Sequence, residues 1–164
     1  MSNKNTLNLV PVSIAAIGIL FVAAIIFYLS SPANKAEASI SLLYKNLSVV
    51  GLGKSVYVEN CASCHGLALE GQANWRQSDA DGYLPAPPHD ETGHTWHHPD
   101  SYLFLMTKYG IDEIIGGKYP NNMPAYEDKL TDDEIIAALS YIKSTWSARI
   151  QQQHDQINAR ENSK

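Results

Sequence analysis

Cys61-Ala-Ser-Cys64-His65-Gly66 contains both cysteines of the 164-residue chain. Two cysteines cannot build the disulfide framework that staples small secreted domains, and a bridge across only two residues is strained. A thioredoxin-like redox pair would sit in a strand–helix–strand context, which the flanking sequence lacks. Zinc would need two further ligands, which His94, His97 or His98 could supply. Cys-x-x-Cys-His is also the spacing that attaches a c-type haem. Both thiols add to the vinyl groups as thioethers, two intervening residues match the vinyl separation, and the next imidazole reaches the iron.

An iron held by His65 takes a second ligand unless the site stays open. Met123 is the expected one. It lies in Tyr119-Pro-Asn-Asn-Met123-Pro124, where prolines at 120 and 124 exclude a helix interior. A thioether on a loop can approach the iron, and a soft neutral sulfur favours the ferrous state. Met106, among Leu103, Phe104 and Leu105, reads instead as core packing. His89, His94, His97 and His98 are the rival ligands.

Those four histidines fall within ten residues of a proline-rich stretch, Leu84-Pro-Ala-Pro-Pro-His89 onward to Asp100. They could bind copper or zinc. With Trp96 between them, a loop packed over one edge of the haem is the favoured reading. A carbonyl between Pro85 and Pro88 is the expected acceptor for the His65 ring N–H, the bond that orients an axial imidazole. Pro85, Pro87, Trp96, His97 and Asn122 are accordingly expected around the group.

Further out, helical spacing recurs and strand-type alternation is absent, so the domain reads as mostly α. One helix is expected over residues 53–61, with Val56, Tyr57 and Asn60 on adjacent turns. A second follows Pro99, with Asp100 as N-cap and Gly110 past its end. The third opens on a capping box, Thr131-Asp-Asp-Glu134, with Leu130 and Ile135 as a staple. Its apolar stripe is Ile135, Leu139, Ile142 and Trp146. The polar segment after Trp146 reads as a frayed or solvent-facing helix.

Residues 5–34 carry no charge, and all seventeen acidic residues lie beyond them. Within this stretch, the twenty-one apolar-rich residues 9–29 would span ~31 Å as a helix, about the thickness of a bilayer's hydrocarbon core. An uncleaved anchor is the expected reading. A cleaved signal ending near Ala36-Glu37-Ala38 is the competitor, although its apolar region would be unusually long. Beyond Lys4, eleven basic against seventeen acidic residues leave a charge of −6, without a basic cluster, which argues against nucleic acid.

At these residues the chain resembles a class I c-type cytochrome of the bacterial membrane-anchored kind. The resemblance covers about residues 49–146. It rests on Gly53 and Tyr57 ahead of Cys61-x-x-Cys64-His65-Gly66, on Met123-Pro124, and on Leu139-Ser-Tyr141-Ile-Lys-Ser-Thr-Trp146 in the last helix. It implies one covalently attached haem c and a terminal helix crossing that brings Gly53 and Tyr57 against Tyr141 and Trp146. It also implies haem attachment outside the cytoplasm, hence a cytoplasmic N-terminus and a periplasmic domain at a bacterial inner membrane. The histidine-rich run and the long span from Gly66 to His97 depart from compact members.

The expected organisation is a cytoplasmic leader (1–8), a transmembrane anchor (9–30), a tether (31–45), a class I cytochrome c-like helical haem domain (46–147) and a polar C-terminal tail (148–164). The expected function is electron transfer rather than catalysis. In this reading a membrane-tethered carrier links a quinol-oxidising complex to a terminal oxidase or reductase. The alternatives are a fixed haem subunit of such a complex and a copper-handling or haem-sensing protein using residues 89–98.

Overall fold

A computed structural model of the chain describes residues 40–117 and 120–163. The leader, the anchor and residues 31–39 of the tether lie outside the described residues. Among those described, no helix is long and apolar enough to cross a membrane, and no strand is present. The elements in chain order are α1 (Leu47–Asn60), the one-turn α2 (Ala62–His65), a 3₁₀ turn (Thr95–His97), α3 (Asp100–Tyr109), α4 (Ile111–Ile115), α5 (Asp132–Thr145) and α6 (Ala148–Glu161).

The domain is built on the crossing of α1 and α5. A Cβ on Gly53 would stand 1.9 Å from the Ala137 carbonyl oxygen and 2.4 Å from its carbon, so only glycine permits this approach. Around the crossing, Tyr57, Ile135, Leu139, Ile142 and Trp146 form one buried cluster with Leu103 and Phe104 of α3. The capping box opens α5 as the sequence predicts. Thr131 Oγ1 accepts from Glu134 N, and the Glu134 carboxylate accepts from Thr131 N at 2.8 Å. A cap of this kind contributes about 1 kcal/mol.

Several boundaries differ from expectation. Helix α1 starts at Leu47, because the Asn46 side chain accepts from Ser48 N and Val49 N and caps it there. Asp100 is the first residue of α3, not its cap. Its carboxylate is turned inward, accepting from Leu42 N at 2.8 Å and from Asn158 Nδ2 at 2.9 Å. The last six residues of the expected tether are therefore part of the domain. Leu42 is buried, and Leu43 N donates to Ser140 Oγ at 2.8 Å.

The C-terminal segment is likewise a packed helix rather than a frayed or solvent-facing one. Ile150 and His154 of α6 are buried, and Ser147 caps the helix by accepting from Ile150 N. His154 Nε2–H donates to His98 O at 2.7 Å, and Lys143 Nζ pairs with Asp155 Oδ1 at 2.6 Å. Tyr44 donates to the other Asp155 oxygen. Polar bonds thus do much of the docking that a richer apolar stripe would do elsewhere.

Two outcomes follow. Gly53→Ala should force α1 and α5 apart or distort both, costing on the order of 1–3 kcal/mol; a denaturant midpoint equal to that of the parent would refute the close crossing. Burial holds the His154 imidazole below the ordinary histidine pKa, and the Lys143 cation adds to this, against the opposing pull of Asp100. The unfolded chain therefore takes up this proton at a higher pH than the folded one. Stability should fall as pH drops from near ~6.5. The slope of stability against pH below neutrality should be shallower in His154→Gln than in the parent, since His65, His89, His94 and His98 then remain as contributors.

Candidate haem-binding site

The end of α1 sets the thiols. Cys61 N still bonds Tyr57 O, and Cys64 N and His65 N both return to Cys61 O, so a single turn of helix presents all three side chains. Both cysteines are free, Cys61 half-buried and Cys64 exposed. Tyr126 donates to Asn60 O, in the residue before Cys61, at 2.7 Å. Burial pushes the Cys61 thiol up to about 11 and the Tyr126 phenol up to about 12, so both stay protonated near neutrality.

His65 is buried, and its ring is fixed from outside the motif. Nδ1–H donates to Pro87 O at 2.8 Å. Two loops are laced together to bring that carbonyl there. Gly71 N bonds His65 O, Gln72 N bonds Ala86 O, and Leu69 O accepts from both His89 N and Asp90 N. Gly71 sits at φ +69 with its missing Cβ only 2.5 Å from Pro88 N, and buried Leu69 is held at φ +67. A non-glycine residue in that region carries conformational strain, which the surrounding bonds must hold. Burial lowers the His65 pKa, with the Pro87 carbonyl opposing, so the imidazole is neutral at pH 7. His89 lies flat against it, ring centroids 4.0 Å apart and planes 22° from parallel.

Met123 is half-buried in a non-helical loop, as the flanking prolines require. Its N–H donates to Asn121 Oδ1 at 3.2 Å, and Asn121 Nδ2 donates to Asp112 Oδ1 at 2.8 Å, which ties the loop to α4. Three residues on, Tyr126 N bonds Thr107 O and Lys108 O at the end of α3. Since Tyr126 also reaches Asn60, directly before Cys61, the methionine loop and the cysteine motif share one support. Met106 is half-buried and lies outside the core cluster, contrary to the core packing expected for it.

The residues expected around the haem take up different positions. Of the prolines, Pro87 supplies the carbonyl, whereas Pro85 is only half-buried. Trp96 donates to Glu91 O at 3.3 Å, packs against the core cluster and lies tilted against His97, which is exposed. Asn122 is exposed, and its neighbour Asn121 makes the polar bonds. The other histidines separate onto aromatic partners, His94 against Trp75 and His98 against Tyr102. Among the described residues, no group of three or more His, Cys, Asp or Glu is placed to hold a metal ion. Tyr126 and Asn121 carried no sequence signal, and His89 was singled out as a rival ligand and as part of the histidine run, not as a partner of His65.

The donor set fits a covalent haem. Two free thiols, three positions apart, precede a buried neutral imidazole whose Nδ1 is already committed to a carbonyl, and a thioether lies on an irregular loop sharing their support. The cytochrome c family model matches residues 50–146, more than half of the chain. The chain belongs to the cytochrome c family. Membership implies a covalently attached haem c and makes this an electron-transfer haem protein. The matched span runs from within α1, at residue 50, to Trp146, and α6 lies beyond it. No curated protein and no solved structure matches this cytochrome c-family chain.

Proposed function

We propose that Cys61 and Cys64 carry the thioethers, that His65 Nε2 and Met123 ligate the iron, and that the protein is a membrane-tethered single-haem carrier. It would pass single electrons from a quinol-oxidising complex to a terminal oxidase or reductase at the periplasmic face of an inner membrane. The observation that supports the site is the Pro87–His65 bond, which orients the imidazole and raises its basicity as a ligand. Bound haem supplies a one-electron ferric–ferrous couple. The chain's own residues hold it covalently, fix the imidazole through Pro87, and bring up the thioether on the loop braced by Asn121 and Tyr126. The uncharged stretch over residues 5–34 supports the tether, and the −6 excess beyond it supports partners that present basic surfaces. Small, weak interfaces suit repeated docking and release.

A fixed subunit of a respiratory complex is the second reading, favoured by Leu47 and Leu67, which are 86% and 70% exposed and would suit a lasting apolar contact. Mild-detergent extraction separates the two. A carrier should leave the membrane free of other chains, whereas a subunit should co-purify in fixed ratio. For the ligands, Met123→Ala should abolish the Met-type low-spin absorption signature, lower the midpoint potential and open the ferrous form to carbon monoxide. Retention of the parent's signature would sink the Met123 assignment.

A further inference from the structure

The Pro87 carbonyl restrains the His65 ring at one atom, and a single hydrogen bond still lets a ring tilt and swivel about it. The face of the ring is covered by His89, at 4.0 Å between centroids and 22° between planes. His89 is itself held at every backbone polar group. Its N–H donates to Leu69 O at 2.8 Å, and its carbonyl accepts from Trp146 Nε1 at 2.8 Å. Its Nδ1 is hydrogen-bonded to Thr95 Oγ1 at 2.8 Å, and Tyr57 stands edge-on to its ring at 6.4 Å. Trp146 is buried at the end of α5, so the plane of His89 is referred to the helix crossing itself.

From this arrangement we propose that His89 is a positioning residue for the axial imidazole. Its stacked ring fixes the plane of His65 and excludes water from that face. Trp146 holds His89 in place. The role needs a flat ring at position 89, because an aliphatic side chain would fill the space without defining a plane. Ring orientation at an axial imidazole sets the anisotropy of the low-spin ferric signal, and water beside the ligand favours the charged ferric state, which lowers the potential. This inference rests on His65 as an iron ligand and does not depend on Met123.

The test uses the full-length haem-loaded protein, with paramagnetic resonance of the ferric form and an equilibrium redox titration. His89→Phe should keep the parent g-values and potential, since the planar ring remains. His89→Leu should shift or broaden the g-values although the space is filled. His89→Ala should do the same and also lower the potential. Trp146→Phe, which removes the bond to the His89 carbonyl while keeping an aromatic ring in the core, should move the g-values in the same direction by less. Parent-like g-values in both His89→Leu and Trp146→Phe would overturn the proposal, as would a His89→Phe protein indistinguishable from His89→Leu. A parent spectrum lacking an axial imidazole would overturn the His65 assignment and this inference together. A normal parent spectrum with unmoved variants would overturn this inference alone.

Discussion

At Gly53 the backbone of α1 meets the carbonyl of Ala137 with no room for a single carbon between them. Helix axes approach this closely only where one side chain is absent, so the contact fixes both where the helices cross and how they are rotated. Tyr57, one turn beyond Gly53, is thereby fully buried, donates to Gly66 O at 2.8 Å and packs on Tyr141. The next turn ends in Cys61. Along α5, the same crossing carries Trp146 to the carbonyl of His89. Both sides of the His65 environment are thus measured from one contact. A shift of the crossing by a fraction of an ångström would move the cysteine turn and the histidine loop relative to each other.

The parts of this design that were legible in the sequence are those governed by neighbours in the chain. Thr131 and Glu134 form a cap because they are three residues apart, and the Ile135–Leu139–Ile142 stripe faces inward because helical period demands it. The spacing of Cys61, Cys64 and His65 is local in the same sense. The docking of residues 40–45 and of α6 was not legible, because its bonds join positions far apart and use polar side chains. Asp100 meets Leu42 and Asn158 each across 58 residues, and His98 meets His154 across 56. The hydrophobic pattern of α6 is thin, yet Ile150, His154 and Ile157 fall on one helical face, and the first two are buried. A histidine within such a stripe reads as solvent-facing until a carbonyl is found for it.

The site shows the same division. Which group binds was written in the cysteine motif, and that a proline carbonyl would orient His65 followed from its need for a ring acceptor. The choice of Pro87 over Pro85 depends on how the loops at 66–72 and 86–90 are laced, which in turn depends on Gly71 and Leu69 at positive φ. Local sequence gives no register for such a pairing. The histidines between 89 and 98 illustrate the cost of reading composition as chemistry. Clustered along the chain, they left a second metal open beside the favoured reading of a loop packed over the haem edge. In three dimensions, His89 goes to His65, His94 to Trp75, His97 to Trp96 and His98 to Tyr102.

Asp100, Lys143 and His154 raise a separate question, since three ionisable side chains are buried together at the junction of α3, α5 and α6. Desolvating charges of this kind costs several kcal/mol, and a well-packed apolar replacement is often at least as stable. Net stabilisation therefore does not account for them. Directionality does, as every bond in the cluster names a partner. Asp100 accepts from Leu42 N and Asn158 Nδ2, His154 donates to His98 O, and Lys143 pairs with Asp155. An apolar seam would let a helix as sparsely hydrophobic as α6 slide or rotate, whereas this set admits one register. That register places His154 edge-on to Trp146 at 5.1 Å. The same indole donates from its Nε1 to His89 O. The helix outside the family span thus backs the side chain that holds the histidine loop, and its polar docking is what keeps that backing in one position.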